Sequence, residues 1–377
     1  MRISKRVKIA FVSNNAWSIY NFRLDVIKTL LEDGHAITII TPFNAYVEKI
    51  IELGCEHIAI DFDNKSINPL TDIRFFLRLN RLYKKLQPDL IFHYVAKPNI
   101  YGTLAAKRNN IASVAIVTGL GFAFSRKNLL YAVVKLLYRF SLNGARDVLF
   151  LNNDDAQLFA REKIVPLKKI NVLPGEGINT DYFAPQPSRE NKKRFRFLMS
   201  CRMLKSKGVE VFVEAARLLK LKGHVFDAII LGFFEENHPD SIAPAVVESW
   251  QQDGLVNYLG FRDDVRPVLA EASAFVFPSF YNEGVPRSLL EAASMELPII
   301  TTHNKGCRDV VVDKVNGFLC KLEDPFDLAS KMEEMLLMDP VARENMGQKG
   351  RELVRSKFGM EKVIHEYRRI VAQLDGC

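Results

Sequence analysis

The stretch FPSFYNEGVPRSLLEAASMELPIITT, residues 277–302, carries the pattern from which the fold is read. It opens by ending an apolar run, Ala274–Pro278, with the length and flanks of a buried strand. Tyr281–Val285 is a loop, and Pro286 has the fixed φ suited to the first position of a helix over 287–295. A second apolar run, Pro298–Thr301, follows at once. Strand, helix and strand in so short a span form the unit of a parallel sheet covered by helices. Ligands of such sheets sit outside the carboxyl ends of the strands, so the Glu283 loop and the helix start after it are candidate functional positions.

Upstream, Phe197–Ser200, Phe226–Leu231 and Asn257–Leu259 read as further strands, with helices at 208–221, 242–252 and 264–272. Downstream, helices are expected at 325–338 and near 360–374. Residues 185–195, PQPSRENKKRF, have the proline-rich, charged composition of an interdomain linker. The same alternation has already run once before that linker. Val7–Ser13, Ala36–Thr41, His57–Asp61, Leu90–His93, Ser113–Val117 and Val148–Leu151 are strand-length apolar runs, separated by amphipathic stretches such as Phe22–Asp33. The expected architecture is α/β, with two Rossmann-like domains, 1–185 and 186–377, facing a cleft.

The 377 residues are 48% hydrophobic and 25% charged, enough for two cores and unlike a disordered or collagenous chain. Cys55, Cys201, Cys307, Cys320 and Cys377 are scattered without a C-x-x-C, so neither a zinc site nor a disulfide framework is indicated and a cytoplasmic setting is expected. The opening MRISKRVKIAFVSNN has too short an apolar stretch for a signal peptide, and no run approaches the ~20 apolar residues of a membrane span.

Charge is unevenly distributed. Residues 1–185 hold 25 Lys and Arg against 16 Asp and Glu, whereas the remainder holds 27 against 28. Within 64–146, 14 basic residues face only Asp72 and Asp89, which points to an anionic partner, either a nucleic acid or an acidic membrane face. In DIRFFLRLNRLYKKLQ, Arg74, Arg78, Arg81 and Lys85 make one cationic helix stripe beside an apolar one. In RKNLLYAVVKLLYRF, which also holds Lys127, the residues Tyr131, Lys135 and Arg139 share a face, while Leu129, Val133, Leu137 and Phe140 share another. Such helices can lie on anionic lipid, each surface cation contributing about 1 kcal/mol. The alternative is that the apolar faces are simply domain core. A nucleic acid is disfavoured, since no recognition module is present and the basic helices lack spaced stacking aromatics.

Two clusters carry chemistry in the second half. The amides of Arg287, Ser288 and Leu289, at the helix start after Gly284 and Val285, favour a phosphate. Glu291, just over a turn further, can accept two hydrogen bonds from a vicinal diol such as ribose. Arg202 and Lys207, in CRMLKSKG after the first strand of this half, can grip a diphosphate from the other side. The alternatives are solvated helix glutamates and a solvated basic loop. Asp154-Asp155 and Asp263-Asp264 sit at expected helix starts and read as caps rather than metal ligands. His93 follows a strand and is either a cleft residue or a structural histidine.

Glu283…Glu291 as E-x7-E, Arg202…Lys207 as R-x4-K, and LPGEGINTDYFAP (173–185) together resemble the retaining, nucleotide-sugar-dependent glycosyltransferases of family 4, with a GT-B fold. The resemblance covers nearly the whole chain, although Glu176 stands where the family's connector has asparagine. It implies a hexosyltransferase in which Glu283 contacts the donor sugar, Glu291 the ribose, and Arg202 with Lys207 the departing diphosphate, with no metal or other cofactor. It also implies that the last helix crosses back to the first domain.

The first half has Ser13-Asn14-Asn15 where many members have two glycines, and Thr118-Gly119-Leu120-Gly121 where many have a histidine. The S-I-Y-x-F-R run (18–23), Lys97-x-Asn99-x-x-Gly102 and G-L-G are instead similar to a narrower branch. That branch adds an N-acetylhexosamine, often N-acetylgalactosamine, to an undecaprenyl-diphosphate-linked sugar in bacterial surface glycan or glycoprotein glycan assembly. The resemblance then implies acceptor contacts at Asn15, Tyr20, Lys97, Gly119 and Gly121, and a peripheral location on the cytoplasmic face of the inner membrane. A nonhydrolysing UDP-sugar epimerase of related fold is the rival enzyme.

Overall fold

The computed structural model describes residues 6–61, 68–120, 124, 129–186, 194–235 and 238–374, which form two parallel α/β sheets. The described residues up to Gly177, with those from Met360 onward, make one compact unit, and Ile178–Gly359 make a second. The boundary thus falls at Gly177–Ile178, ahead of the linker-like composition near 185. Packing explains the difference: Ile178 and Phe183 already lie in the second unit's core, and the Ile178 amide donates to the Phe358 carbonyl at 2.9 Å.

The first sheet contains β1 (Lys8–Val12), β2 (Ala36–Thr41), β3 (Glu56–Ala59), β4 (Leu90–Tyr94), β5 (Ala112–Val117), β6 (Asp147–Phe150) and β7 (Ile170–Val172), in the order β3-β2-β1-β4-β5-β6-β7. All pairings are parallel, and the order reverses beside β1. The helices are α1 (Ala16–Glu32), α2 (Tyr46–Glu52), α3 (Pro69–Leu86), α4 (Thr103–Arg108), α5 (Leu129–Leu142) and α6 (Asn153–Arg161), with a π-helical turn at Pro98–Gly102. Helix α1 starts six residues before the apolar periodicity at Phe22, because the Asn15 side chain accepts from the Ser18 amide at 2.7 Å and caps it there. Its Ile19, Val26, Ile27 and Leu30 face the core.

The second sheet contains β8 (Arg196–Ser200), β9 (Asp227–Leu231), β10 (Asn257–Tyr258), β11 (Ala274–Phe277), β12 (Ile299–Thr302) and β13 (Gly317–Cys320), in the order β10-β9-β8-β11-β12-β13. Its helices are α7 (Val209–Leu221), α8 (Pro244–Gln252), α9 (Arg266–Glu271), α10 (Arg287–Ser294), α11 (Pro325–Leu337) and α12 (Pro340–Phe358). A last helix, α13 (Met360–Ala372), packs in the first unit against α1, burying Val363, Tyr367 and Ile370 in its core. The edge strands β7 and β13 and the long helix α12 had no counterpart in the sequence reading.

His93 is structural. It is fully buried on β4, its Nε2 is 2.9 Å from the Tyr83 hydroxyl, and burial lowers its pKa to about 3, so the ring is neutral. The aspartate pairs are also resolved. Asn152 caps α6, with Asp154 and Asp155 in its first turn, while Asp264 accepts from the Arg266 amide at 3.0 Å. Among the described residues, no helix is long and apolar enough to cross a membrane.

Candidate active site

Three polar side chains from the sequence clusters, Arg202, Lys207 and Glu283, lie near one another in the loops after β8 and β11, while Glu291 pairs with Arg287 on α10. The loop after β8 carries Arg202 and turns through a 3₁₀ segment, Lys205–Lys207, into α7. Gly208 takes φ +80°, and a Cβ there would come within 2.1 Å of the Pro278 carbonyl, so only glycine lets this loop lie against the exit of β11. The Ser206 carbonyl accepts from the amides of Phe280 and Tyr281 at 2.9 and 3.1 Å, tying the two loops together.

This tie places Lys207 beside Glu283. The Lys207 Nζ donates to Glu283 Oε1, and the Ser279 hydroxyl donates to the same oxygen at 2.9 Å. Both charged residues are buried, and the ammonium lies 4.7 Å from the centre of the Tyr281 ring. Arg202 is more open and holds Glu235 Oε2 at 2.5 Å. Burial works against the Arg202 charge, but Glu235, with smaller contributions from Tyr281 and Glu283, holds the guanidinium above its ordinary pKa.

The start of α10 differs from the sequence expectation. Pro286 has φ −63° but ψ 121°, so it is the extended cap residue and the helix begins at Arg287. The Leu289 amide donates to the Pro286 carbonyl at 3.2 Å, which takes it out of the set of amides offered to a phosphate. The side chains of Val285 and Leu289 are packed in the core and Gly284 is buried, leaving Arg287 and Ser288 as the less enclosed positions of this turn. Arg287 Nε donates to Glu291 Oε1 at 3.2 Å, and its guanidinium lies 5.7 Å from the Phe183 ring. Burial pushes the Glu291 carboxyl above its usual range, and Arg287 only partly reverses this.

Three features escaped sequence reading. Glu235 and Ser279 partner the expected cations and carboxylate. Phe233 and Phe261, in the loops after β9 and β10, are partly exposed rings in edge contact at 5.9 Å, a surface on which a planar base can stack. Alternating residues after a strand carry no local sign of such pairings; only the sheet order brings them together. Burial pushes the nearby Cys307 thiol up to about 12, so it is no thiolate nucleophile. Among the described residues, no group of three His, Cys, Asp or Glu is arranged to hold a metal ion.

The first unit holds the remaining expected residues. Asn15 is committed to capping α1, and its Nδ2 donates to Asn14 Oδ1 at 3.3 Å. Tyr20 packs on Tyr46 at 5.6 Å, near Lys49. Lys97 donates to Asp72 Oδ1 at 2.7 Å, and Tyr101 donates to the other oxygen of that carboxylate at 2.8 Å. Gly119 follows β5; Gly121 and Lys127 lie outside the described residues. Arg74, Arg78, Arg81 and Lys85 are exposed on α3, as is Arg139 on α5, whereas Lys135 pairs with Glu162. On α5 the outward apolar face is Leu129, Val133, Leu136 and Phe140, with Leu137 turned toward the core in place of Leu136.

Two family patterns match the chain, "Glycosyl transferase 4-like" over residues 8–152 and "Glycosyl transferases group 1" over 182–353. The N,N'-diacetylbacillosaminyl-diphospho-undecaprenol alpha-1,3-N-acetylgalactosaminyltransferase of Campylobacter jejuni is 32% identical over 91% of this chain and 92% of its own. An Escherichia coli UDP-Gal:alpha-D-GlcNAc-diphosphoundecaprenol alpha-1,3-galactosyltransferase is 26% identical over 69% of each chain. Among solved structures, a Rickettsia africae glycosyltransferase superposes with a TM-score of 0.80 at 20% identity, covering 98% of this chain and 99% of that one. HepE of Anabaena in complex with UDP-glucose gives 0.80 at 16% identity, covering 98% and 100%. With its two parallel sheets and this breadth of similarity, the chain belongs to the group 1 (family 4) glycosyltransferases and has the GT-B fold.

Proposed function

We propose that this glycosyltransferase moves an N-acetylhexosamine, with N-acetylgalactosamine favoured, from its UDP-sugar to an undecaprenyl-diphosphate-linked saccharide, with retention of configuration. The observation that carries the reading is the Campylobacter jejuni relative, whose name describes transfer of N-acetylgalactosamine to such a lipid-linked sugar and which aligns over 91% of the chain. The edge of the second sheet supplies chemistry that suits the donor. Arg202 and Lys207 take the diphosphate with the first amides of α10, Glu291 accepts from the ribose hydroxyls, and Phe233 with Phe261 receives the base. Glu283 accepts from a hydroxyl of the donor sugar.

The acceptor hydroxyl attacks the anomeric carbon from the side of the leaving group. The new C–O bond forms as the bond to the β-phosphate oxygen breaks, and that oxygen takes the acceptor's proton. Negative charge grows on the diphosphate, where Arg202, Lys207 and the start of α10 stabilise it. Fixed protein charge is then sufficient without a metal ion.

The acceptor's lipid places the reaction at a membrane, on its cytoplasmic face. Helix α5 leaves Leu129, Leu136 and Phe140 at 80%, 67% and 70% exposure, and α3 exposes Leu70, Ile73 and Leu77 beside Arg74, Arg78 and Arg81. Both helices pack on the Pro98–Gly102 turn, which supports one apolar and cationic surface suited to anionic lipid.

The test is a panel of UDP-sugars with a synthetic polyprenyl-diphosphate saccharide, read by mass spectrometry. An acceptor heavier by one N-acetylhexosamine is expected. A changed UDP-sugar with unchanged acceptor would favour the epimerase, and transfer of a different sugar would overturn the donor assignment.

A further inference from the structure

The cations at the edge of the second sheet each hold a carboxylate, but the two pairs differ. The Lys207 and Glu283 side chains are each only 10% exposed, whereas Arg202 and Glu235 are 34% and 24% exposed. An ion pair shut away from water is costly to open, while one partly open to water is held weakly. A diphosphate arriving at this edge would therefore separate Arg202 from Glu235 and leave Lys207 with Glu283.

The position of Glu235 follows from the backbone. The Cys201 amide donates to the Leu231 carbonyl at 3.0 Å and the Met203 amide to the Phe233 carbonyl at 3.0 Å, so the loops after β8 and β9 continue side by side beyond their strands. Gly232 permits this approach, since a Cβ there would lie 1.9 Å from the Cys201 carbonyl. The Glu235 carbonyl accepts from the His238 amide at 3.2 Å, which helps to hold the residue beside Arg202. A carboxylate is thus presented to the guanidinium at 2.5 Å where the diphosphate reading places a phosphate oxygen.

We propose that Glu235 is an internal competitor of the donor diphosphate for Arg202, displaced when the nucleotide binds and returning to Arg202 as UDP leaves. The inference rests on the assignment of Arg202 to the diphosphate. Its consequence runs against the usual effect of removing a site residue: without the carboxylate, Arg202 is free for the phosphate and UDP binds more tightly. Because the competition is for charge on the phosphates, uridine, which has none, is indifferent to it.

Calorimetric titration of UDP and of uridine into wild type, Glu235→Gln, Arg202→Ala and the double variant tests this. Glu235→Gln is expected to tighten UDP roughly two- to fivefold, the range set by a partly exposed ion pair, and to leave uridine unchanged. In the Arg202→Ala background the same substitution is expected to have no effect on UDP. Weaker or unchanged UDP binding in Glu235→Gln, with Arg202→Ala still weakening UDP, would overturn the competitor role and leave Glu235 as a residue that only orients Arg202. Unchanged UDP binding in Arg202→Ala would instead overturn the diphosphate assignment, and the competitor role with it. Circular dichroism of each variant establishes that it is folded, and Glu235→Ala provides a second route to the same measurement.

Discussion

The buried ion pair between Lys207 Nζ and Glu283 Oε1 joins the loop after β8 to the loop after β11, across 76 residues of sequence. In the proposed reading, it joins the cation for the leaving diphosphate and the carboxylate for the donor sugar into one unit. Neither residue can be changed without altering the electrostatics of the other.

That coupling separates the two glutamates. Glu283→Gln is expected to leave UDP affinity intact or slightly raised, because Lys207 loses its competing charge, while transfer falls. Glu291→Gln is expected to weaken UDP itself by removing a charge-assisted acceptor for the ribose. Calorimetry with UDP alone, beside steady-state transfer rates, distinguishes them; equal losses of UDP affinity would mean that the roles are misassigned.

Glu291 also gives a pH signature. Burial raises its pKa, so the acceptor form is lost as pH falls through a value above the usual ~4.3 of a free glutamate. On the acid side UDP affinity should therefore fall further in wild type than protonation of the UDP phosphate alone accounts for. Glu291→Gln should flatten that limb, and an unchanged profile in this variant would dissociate Glu291 from nucleotide binding.

The first unit contains a second buried pair, Arg23 with Glu176 at 2.5 Å, where the guanidinium also lies 4.2 Å from the Tyr94 ring. This partner accounts for glutamate at the connector position where the family has asparagine. Removing either charge alone, as in Arg23→Met or Glu176→Gln, strands the other, and a loss of roughly 3–5 kcal/mol is expected. Urea unfolding should show the double variant losing less than the sum of the two; additive losses would mean that the pair does not act together.

How far these elements were legible in the sequence depended on how local their causes are. Strand β2 matches its apolar run residue for residue, and Arg202, Lys207, Glu283 and Glu291 stand in recognisable spacings next to strand ends. Strands β7 and β13 are three and four residues long and get their identity from neighbours in the sheet, which no local pattern reveals. Helix α12 was hidden because its buried positions are few and include Gly347 and Gly350, which read as helix-breaking. Glu235 gave no signal either, since its meaning is a 33-residue separation closed by parallel loops.

The membrane surface is best tested by separating charge from apolar contact. Replacing Arg74, Arg78, Arg81 and Lys85 with glutamine should remove up to ~4 kcal/mol of attraction to anionic liposomes, an effect imitated by salt. Leu136→Ser with Phe140→Ser should reduce sedimentation with liposomes even at high salt, because apolar burial is not screened. Transfer to a short water-soluble acceptor should survive both sets. Undiminished sedimentation in both would assign lipid contact to another surface.

The most direct test of the donor-site account is the rate of transfer from UDP-N-acetylgalactosamine in wild type, Arg202→Ala and Lys207→Ala, each established as folded. If these cations stabilise the charge that grows on the departing diphosphate, each variant should lose about 10²-fold or more in turnover. Turnover at the wild-type level in both would contradict the account.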